Sequence, residues 1–195
     1  MSEFDKIIGY ESEKEELARL CDTLKNRAKY AKLGMNMPQT LLLYGPPGVG
    51  KTLMAKAFTA ESKRKVFYCK KDKSDGEFIT AIKDTFAEAK KKAPSIIFFD
   101  DMDKFAEDNL NQNCNKEEFV AIQSGLEDIR GANVFVIATA NDICNLPHSL
   151  LRAGRFGRQI HVEVPDYDNS VKIIEHYLTG KNVAEDVHAE LLART

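Results

Sequence analysis

The residues Gly45-Pro46-Pro47-Gly48-Val49-Gly50-Lys51-Thr52 carry the spacing G-x-x-x-x-G-K-T, directly after a short apolar run (40–44) and directly before a helical pattern. Glycines at those positions let the backbone curl until successive N–H groups face one anion, and the N-terminus of the following helix adds its positive end. The predicted ligand is a phosphate chain. Lys51 would reach its β and γ phosphates, Thr52 would set a hydroxyl on Mg²⁺, and Pro47, Gly48, Val49, Gly50 and Leu53 would form the surrounding cradle. The alternative is a Gly-Pro turn with a chance lysine, and the strand–loop–helix context argues against it.

A second signal is Ile96-Ile97-Phe98-Phe99-Asp100-Asp101-Met102-Asp103, an apolar run that ends in acids. The C-terminal end of a buried parallel strand is where ligands bind in open α/β sheets, so Asp100 is placed to hold Mg²⁺ near Thr52. Asp101 would then polarise an attacking water. Solvated acids that merely close a strand are the bland alternative, and the phosphate loop weakens it. Ala138-Thr139-Ala140-Asn141 repeats the arrangement with an amide, which can orient the water or a γ-phosphate oxygen without adding charge. Alone, Asn141 would be read as a turn residue. Finally, Leu151-Arg152-Ala153-Gly154-Arg155-Phe156-Gly157-Arg158 puts three arginines in a short loop. They suit either a solvated face or the extra positive charge that phosphoryl transfer requires at the γ-phosphate.

These residues need a scaffold, and the pattern supplies one. Apolar runs at 40–44, 65–69, 95–100, 133–140 and 159–164 predict five strands. Between them lie a helix from Lys51, a helix at 77–92, another at 116–129 and a turn near Leu150. The runs Leu41-Leu42-Leu43 and Ile96-Ile97-Phe98-Phe99 are continuous, as expected of strands covered on both faces. Strand–helix alternation then predicts an α/β sandwich on a parallel sheet. An amphipathic helix at 11–33 precedes it, with Leu17, Leu20, Cys21 and Leu24 on one face. After Pro165 the pattern changes to two helices, 169–179 and 184–194, so we divide the chain into an α/β unit at 1–164 and the start of a helical lid at 165–195.

Composition constrains the partners. The 195 residues hold 28 Lys+Arg and 30 Asp+Glu, a net charge of −2, so no basic excess points to nucleic acid or an anionic membrane. Hydrophobic residues make up 43% and charged residues 30%, a globular mix. The longest apolar stretch, 134–140, is far below the ~20 residues of a spanning helix, and the first residues do not form a signal peptide. The four cysteines show no C-x-x-C spacing, which suits free thiols in a reducing, cytoplasmic-type compartment.

Taken together, these motifs resemble the ATPase module of the AAA+ superfamily, closest to the branch of FtsH-like proteases and related protein unfoldases. Ile8-Gly9 ahead of the first helix, the phosphate loop, the Asp100 strand, Ala-Thr-Ala-Asn and Leu-Arg-Ala-Gly-Arg-Phe-Gly-Arg carry the match across nearly the whole chain. The resemblance implies a P-loop sandwich on a five-stranded parallel sheet, ATP/ADP and Mg²⁺ as ligands, hydrolysis of ATP to ADP and phosphate, and a working homo-oligomeric ring, commonly a hexamer. It implies Lys51 on the phosphates, Thr52 and Asp100 on the metal, Asp101 on the water and Asn141 as the first sensor. Arg155 and Arg158 become arginine fingers acting on a neighbouring subunit's nucleotide. Ile8 and Gly9 would lie against adenine, and Ile173 and Tyr177 would close the pocket from the lid.

Departures from the family pattern set further expectations. Asp101 stands where the family has Glu, one methylene shorter, which implies slow hydrolysis. The stretch 69–78 holds no aromatic–hydrophobic–Gly triplet to grip a threaded polypeptide, and the Asn-rich segment 109–115 lacks the family's second pore loop. Leu126-Glu127-Asp128 replaces an intersubunit Asp-Gly-Phe, Gly157 replaces an acid, and Tyr177 stands where many relatives have His. The lid stops before its second sensor, as in a fragment of a longer protein, and no His-Glu-x-x-His zinc motif occurs. The leading expectation is a motor that couples ATP hydrolysis to protein remodelling. A regulatory module that binds ATP and barely hydrolyses it is the alternative. A small-molecule kinase would share the phosphate loop but has no use for Arg155, Arg158 and a lid.

Overall fold

The computed structural model describes residues 2–35, 37–71, 75–106, 117–182, 184 and 187–194. In chain order the elements are α1 (Glu11–Lys25), α2 (Arg27–Lys32), β1 (Thr40–Tyr44), α3 (Lys51–Ser62), β2 (Lys65–Cys69), α4 (Asp75–Lys91), β3 (Ser95–Phe99), α5 (Glu117–Asp128), β4 (Val134–Ala140), β5 (Gln159–His161), α6 (Tyr167–Leu178) and α7 (Ala189–Leu192). The five strands form one parallel sheet in the order β2-β3-β4-β1-β5.

The continuous apolar runs take the middle of this sheet. Every residue of β3 and β4 is buried, and alternate side chains serve opposite faces. Leu42, Ile97, Phe99, Val136 and Ala138 join Phe78, Ile82, Phe86, Phe119 and Ile122 of α4 and α5. Leu41, Leu43, Ile96, Phe98, Phe135 and Ile137 join Leu17 and Leu20 of α1 and Met54 and Phe58 of α3 on the other side. Each of the larger of these side chains contributes about 1.5–3 kcal/mol when fully removed from water. Helix α5 packs so closely on α4 that a Cβ built on Gly125 would stand 2.3 Å from the Phe86 ring.

At the amino terminus, Glu61 of α3 gathers three partners. Its carboxylate accepts from the Ser2 hydroxyl at 3.2 Å and the Glu3 amide at 3.1 Å, and pairs with Lys25 of α1 at 2.6 Å. This fastens the first turn of the chain to the α1–α3 layer.

Three elements differ from expectation. The helix predicted at 11–33 breaks at Asn26, whose side-chain amide donates back to Asp22, and α2 then buries none of its residues. The strand predicted at 159–164 ends at His161; Val162 still donates to the Tyr44 carbonyl, and the chain then turns off towards Pro165. Within the helix predicted at 184–194, residues 185 and 186 lie outside the described residues, and the described ones form α7. The Asn-rich segment 109–115 lies outside the described residues. Among the described residues, no helix is long and apolar enough to cross a membrane.

Candidate functional site

The C-terminal ends of β1, β3 and β4 converge, which delivers Gly45, Asp100 and Asn141 to one edge of the sheet. Gly45 has φ +147 and passes so close to the residue after β5 that a Cβ would sit 2.0 Å from the Val162 carbonyl oxygen. Only glycine fits there. The loop then turns into α3, whose first residue is Lys51 and whose N-cap, Gly50, supplies no side-chain hydrogen bond. The first-turn amides of α3 are therefore left for an anion.

Lys51 is 5% exposed. Its ammonium donates to the Gly45 carbonyl at 2.7 Å, the Pro46 carbonyl at 2.6 Å and Asn141 Oδ1 at 3.0 Å. All three acceptors are neutral. Burial pushes the Lys51 pKa below its ordinary value, while the carboxylates of Asp101, Asp103 and Asp100 pull it back. A desolvated cation held by neutral oxygens is poised to exchange them for an anion.

The acids are held from the next two strands. Asp100 Oδ1 accepts from the Thr52 hydroxyl at 2.9 Å and from the Thr139 hydroxyl at 2.8 Å. Thr139, fully buried on β4, accepts in turn from the Asp101 amide at 2.9 Å. Asp101 takes φ +52, a left-handed turn that redirects its side chain off the end of β3, and Asp101 Oδ2 pairs with Lys104 at 2.8 Å. Asp103 is 3% exposed, and its Oδ1 finds no hydrogen-bond partner among the described residues. The hydroxyl of Thr52 and the carboxylate of Asp100 share one spot, which suits Mg²⁺: that ion takes one or two protein oxygens and completes its shell with water and substrate phosphates.

Two adjoining cavities meet across the loop, both touching Pro47, Gly48, Gly50 and Leu53. The polar one, about 390 Å³, is lined further by Lys51, Thr52, Asp101, Lys104 and Asn141. The apolar one, about 420 Å³, reaches Ile8, Tyr10 and Val49 on one side and Val164, Ile173, His176 and Tyr177 on the other. One chamber fits a flat apolar group and the other a charged chain.

Most residues singled out from the sequence thus come together. Gly9 does not line the chamber. It takes φ +71 beside Asn169 of α6, where a Cβ would stand 2.6 Å from the amide oxygen. Arg155 and Arg158 line neither cavity: Arg155 pairs with Glu127 at 2.8 Å and donates to the Ser149 carbonyl at 2.7 Å, and Arg158 pairs with Glu16 at 2.8 Å. The Arg155 bond holds the Glu127 carboxyl below its usual range. Thr139, Lys104, Tyr10 and His176 were not singled out. Tyr10 and His176 each adjoin a residue that was, and Lys104 stands three residues after Asp101, which is the one signal the sequence offered.

The chain matches the ATPase family associated with various cellular activities (AAA) over residues 41–164. It is 36% identical to an ATP-dependent zinc metalloprotease FtsH of Parabacteroides distasonis, across 98% of this chain and 30% of that protein. The same-named protein of Malacoplasma penetrans is 37% identical across 98% of this chain and 24% of its own length, and that of Helicobacter pylori 34% across 98% and 32%. The chain spans about a quarter to a third of the length of these relatives.

Proposed function

Given that the chain belongs to the AAA family of ATPases, we propose that ATP lies across the loop between the two cavities, with adenine in the apolar chamber and the triphosphate in the polar one. The observation that carries this reading is the buried Lys51 ammonium on its three neutral oxygens. Ile8, Tyr10, Ile173, His176 and Tyr177 would enclose the base, and the lid at 165–195 would close over it. Lys51 would leave the Gly45 and Pro46 carbonyls for the β and γ phosphates, which replaces neutral acceptors by charged ones.

Thr52 and Asp100 are the residues that would hold Mg²⁺, and the ion would supply neutralising charge for the phosphates. Asp101 would accept a proton from the attacking water, and the Asn141 amide would orient that water or a γ-phosphate oxygen. Arg155 and Arg158 lie away from the pocket of their own chain, so we assign them to the nucleotide of a neighbouring copy in a homo-oligomeric ring. We assign the energy of each turnover to remodelling or unfolding of a protein; the relatives are named ATP-dependent zinc metalloproteases.

One observation favours a second reading, a slow or regulatory ATPase. The Asp101 carboxylate is one methylene short of a glutamate and is already engaged by Lys104. Calorimetric titration with MgATP and a phosphate-release assay test both readings. Lys51→Ala should remove most nucleotide affinity. Asp101→Asn should bind ATP normally and release no phosphate, and Asp101→Glu should speed release. Unchanged affinity in the first variant sinks the loop assignment, and parental rates in the other two sink Asp101 as the base.

A further inference from the structure

Lys104 is a second cation in the phosphate cavity, and no role has yet been given to it. It sits in the single-turn helix Met102–Ala106, and its amide donates to the Asp101 carbonyl at 3.0 Å, so the turn folds it back over the end of β3. Its ammonium pairs with Asp101 Oδ2 at 2.8 Å, and the side chain borders the same cavity as Lys51, Thr52 and Asn141. The two lysines are held differently. Lys51 is buried, whereas the Lys104 side chain is 51% exposed and the Asp101 side chain 23%. An ion pair that open to water is worth roughly 1 kcal/mol or less, so a stronger anion can displace it.

We propose that Lys104 binds the terminal phosphate and makes the site selective for nucleoside triphosphates over diphosphates. The charges around the cavity explain why such a residue is useful. Asp101 borders it, and Asp100 and the buried Asp103 lie close enough to act on Lys51, so three carboxylates bear on that ammonium. A γ-phosphate adds negative charge next to them, and a half-exposed lysine at the cavity wall is the group that can meet it. When a triphosphate enters, the ammonium moves from Asp101 Oδ2 towards the γ-phosphate oxygens, and the Asp101 carboxylate is released to face the water. With a diphosphate bound, the Lys104–Asp101 pair stays closed. The β-phosphate is served by Lys51 and the α3 amides in both cases, so Lys104 acts on the difference between the two ligands. The inference rests on the phosphate-loop reading above and goes beyond it by naming what distinguishes the two nucleotides.

The experiment is a pair of calorimetric titrations, with the magnesium complexes of ADP and of a non-hydrolysable ATP analogue, on the parent chain and on Lys104→Met, Lys104→Arg and Lys51→Ala. Lys104→Met should lower the ratio of triphosphate to diphosphate affinity about tenfold, the size of one charge-assisted hydrogen bond at a half-exposed site. Diphosphate affinity should stay within about twofold. Lys104→Arg should keep the ratio near the parental value. A purely structural lysine would move both affinities together, so an unchanged ratio in Lys104→Met overturns the proposal. Lys51→Ala keeps the two readings separable: it should weaken both ligands, and if it weakens neither, the loop assignment itself has failed.

Discussion

Replacing Thr139 by Val removes one oxygen and keeps the shape of the side chain, which makes it a sharp probe of how the acids are held. The hydroxyl is fully buried, donates to Asp100 Oδ1 at 2.8 Å and accepts from the Asp101 amide at 2.9 Å. Valine would leave a carboxylate oxygen with one donor fewer and a partly buried N–H with none. A hydrogen bond to a charged group is worth about 1.5–3 kcal/mol, and an orphaned amide that water can partly reach adds less than its full penalty. The expected loss is about 2–3 kcal/mol, which for a chain of this size lowers the melting temperature by about 5–10 °C. Thr139→Ser retains the oxygen and should lose no more than about 1 kcal/mol, mostly from the missing methyl. Urea unfolding at neutral pH measures both. Magnesium-dependent ATP turnover should also fall in Thr139→Val, because the turn that aims Asp101 is no longer fixed. A Val variant within 0.5 kcal/mol of the parent, with unchanged turnover, would refute the account of the paired acids.

Two further outcomes are expected. Glu61, held down to about 2 by the Lys25 and Glu3 contacts, is ionised in the fold at a pH where it would be protonated in the unfolded chain; its stabilisation is complete above pH 4.5 and disappears as pH falls towards 2. Because the group is near the surface, screening limits this to about 1 kcal/mol. Glu61→Gln should therefore be less stable than the parent at neutral pH by that amount and no different near pH 2, and equal stability at both would contradict the tether. For the ring, Arg155→Ala and Lys51→Ala should each be inactive, since an arginine finger is worth ~10³-fold or more in rate. An equal mixture should regain turnover from the roughly one quarter of interfaces that pair an intact loop with an intact finger. Mixed assemblies seen by size-exclusion chromatography without any recovery would end the in-trans assignment.

What could be read from the sequence followed from burial. Strands such as Leu41-Leu42-Leu43 and Ile96-Ile97-Phe98-Phe99 are apolar at every position because both faces are covered, and they landed where the pattern put them. Helix 11–33 failed at Asn26, since periodic apolar residues continue through Ala28 and Ala31 without any surface for them to pack on. In the last predicted helix, the described residues are helical at Ala189–Leu192. The loop and its acids were legible because each motif lies at a strand end, where chain direction fixes position. Contacts that join distant segments were not: nothing local ties Arg155 to Glu127, Arg158 to Glu16, or the Thr139 hydroxyl to both acids. Side chains that take their part from a turn, as Lys104 does, were visible only as charges.

Strand β1 has a place in the sheet that makes it a transmission rod. On one flank it pairs with β4, which leads to Asn141; on the other it pairs with β5, and its Leu42 amide is bonded to the carbonyl of Arg158 at 3.0 Å. Two residues beyond, Tyr44 accepts from Val162 at 2.8 Å, and Gly45 then rests against the same Val162 with no room for a side chain. Backbone hydrogen bonds of a buried strand such as β1 open at a higher cost than those of loops and chain ends. The Gly45 loop and the edge that carries Arg158 are therefore joined by a short path of backbone contacts. In the ring proposed above, a displacement of that arginine would be passed to Gly45 with little slack.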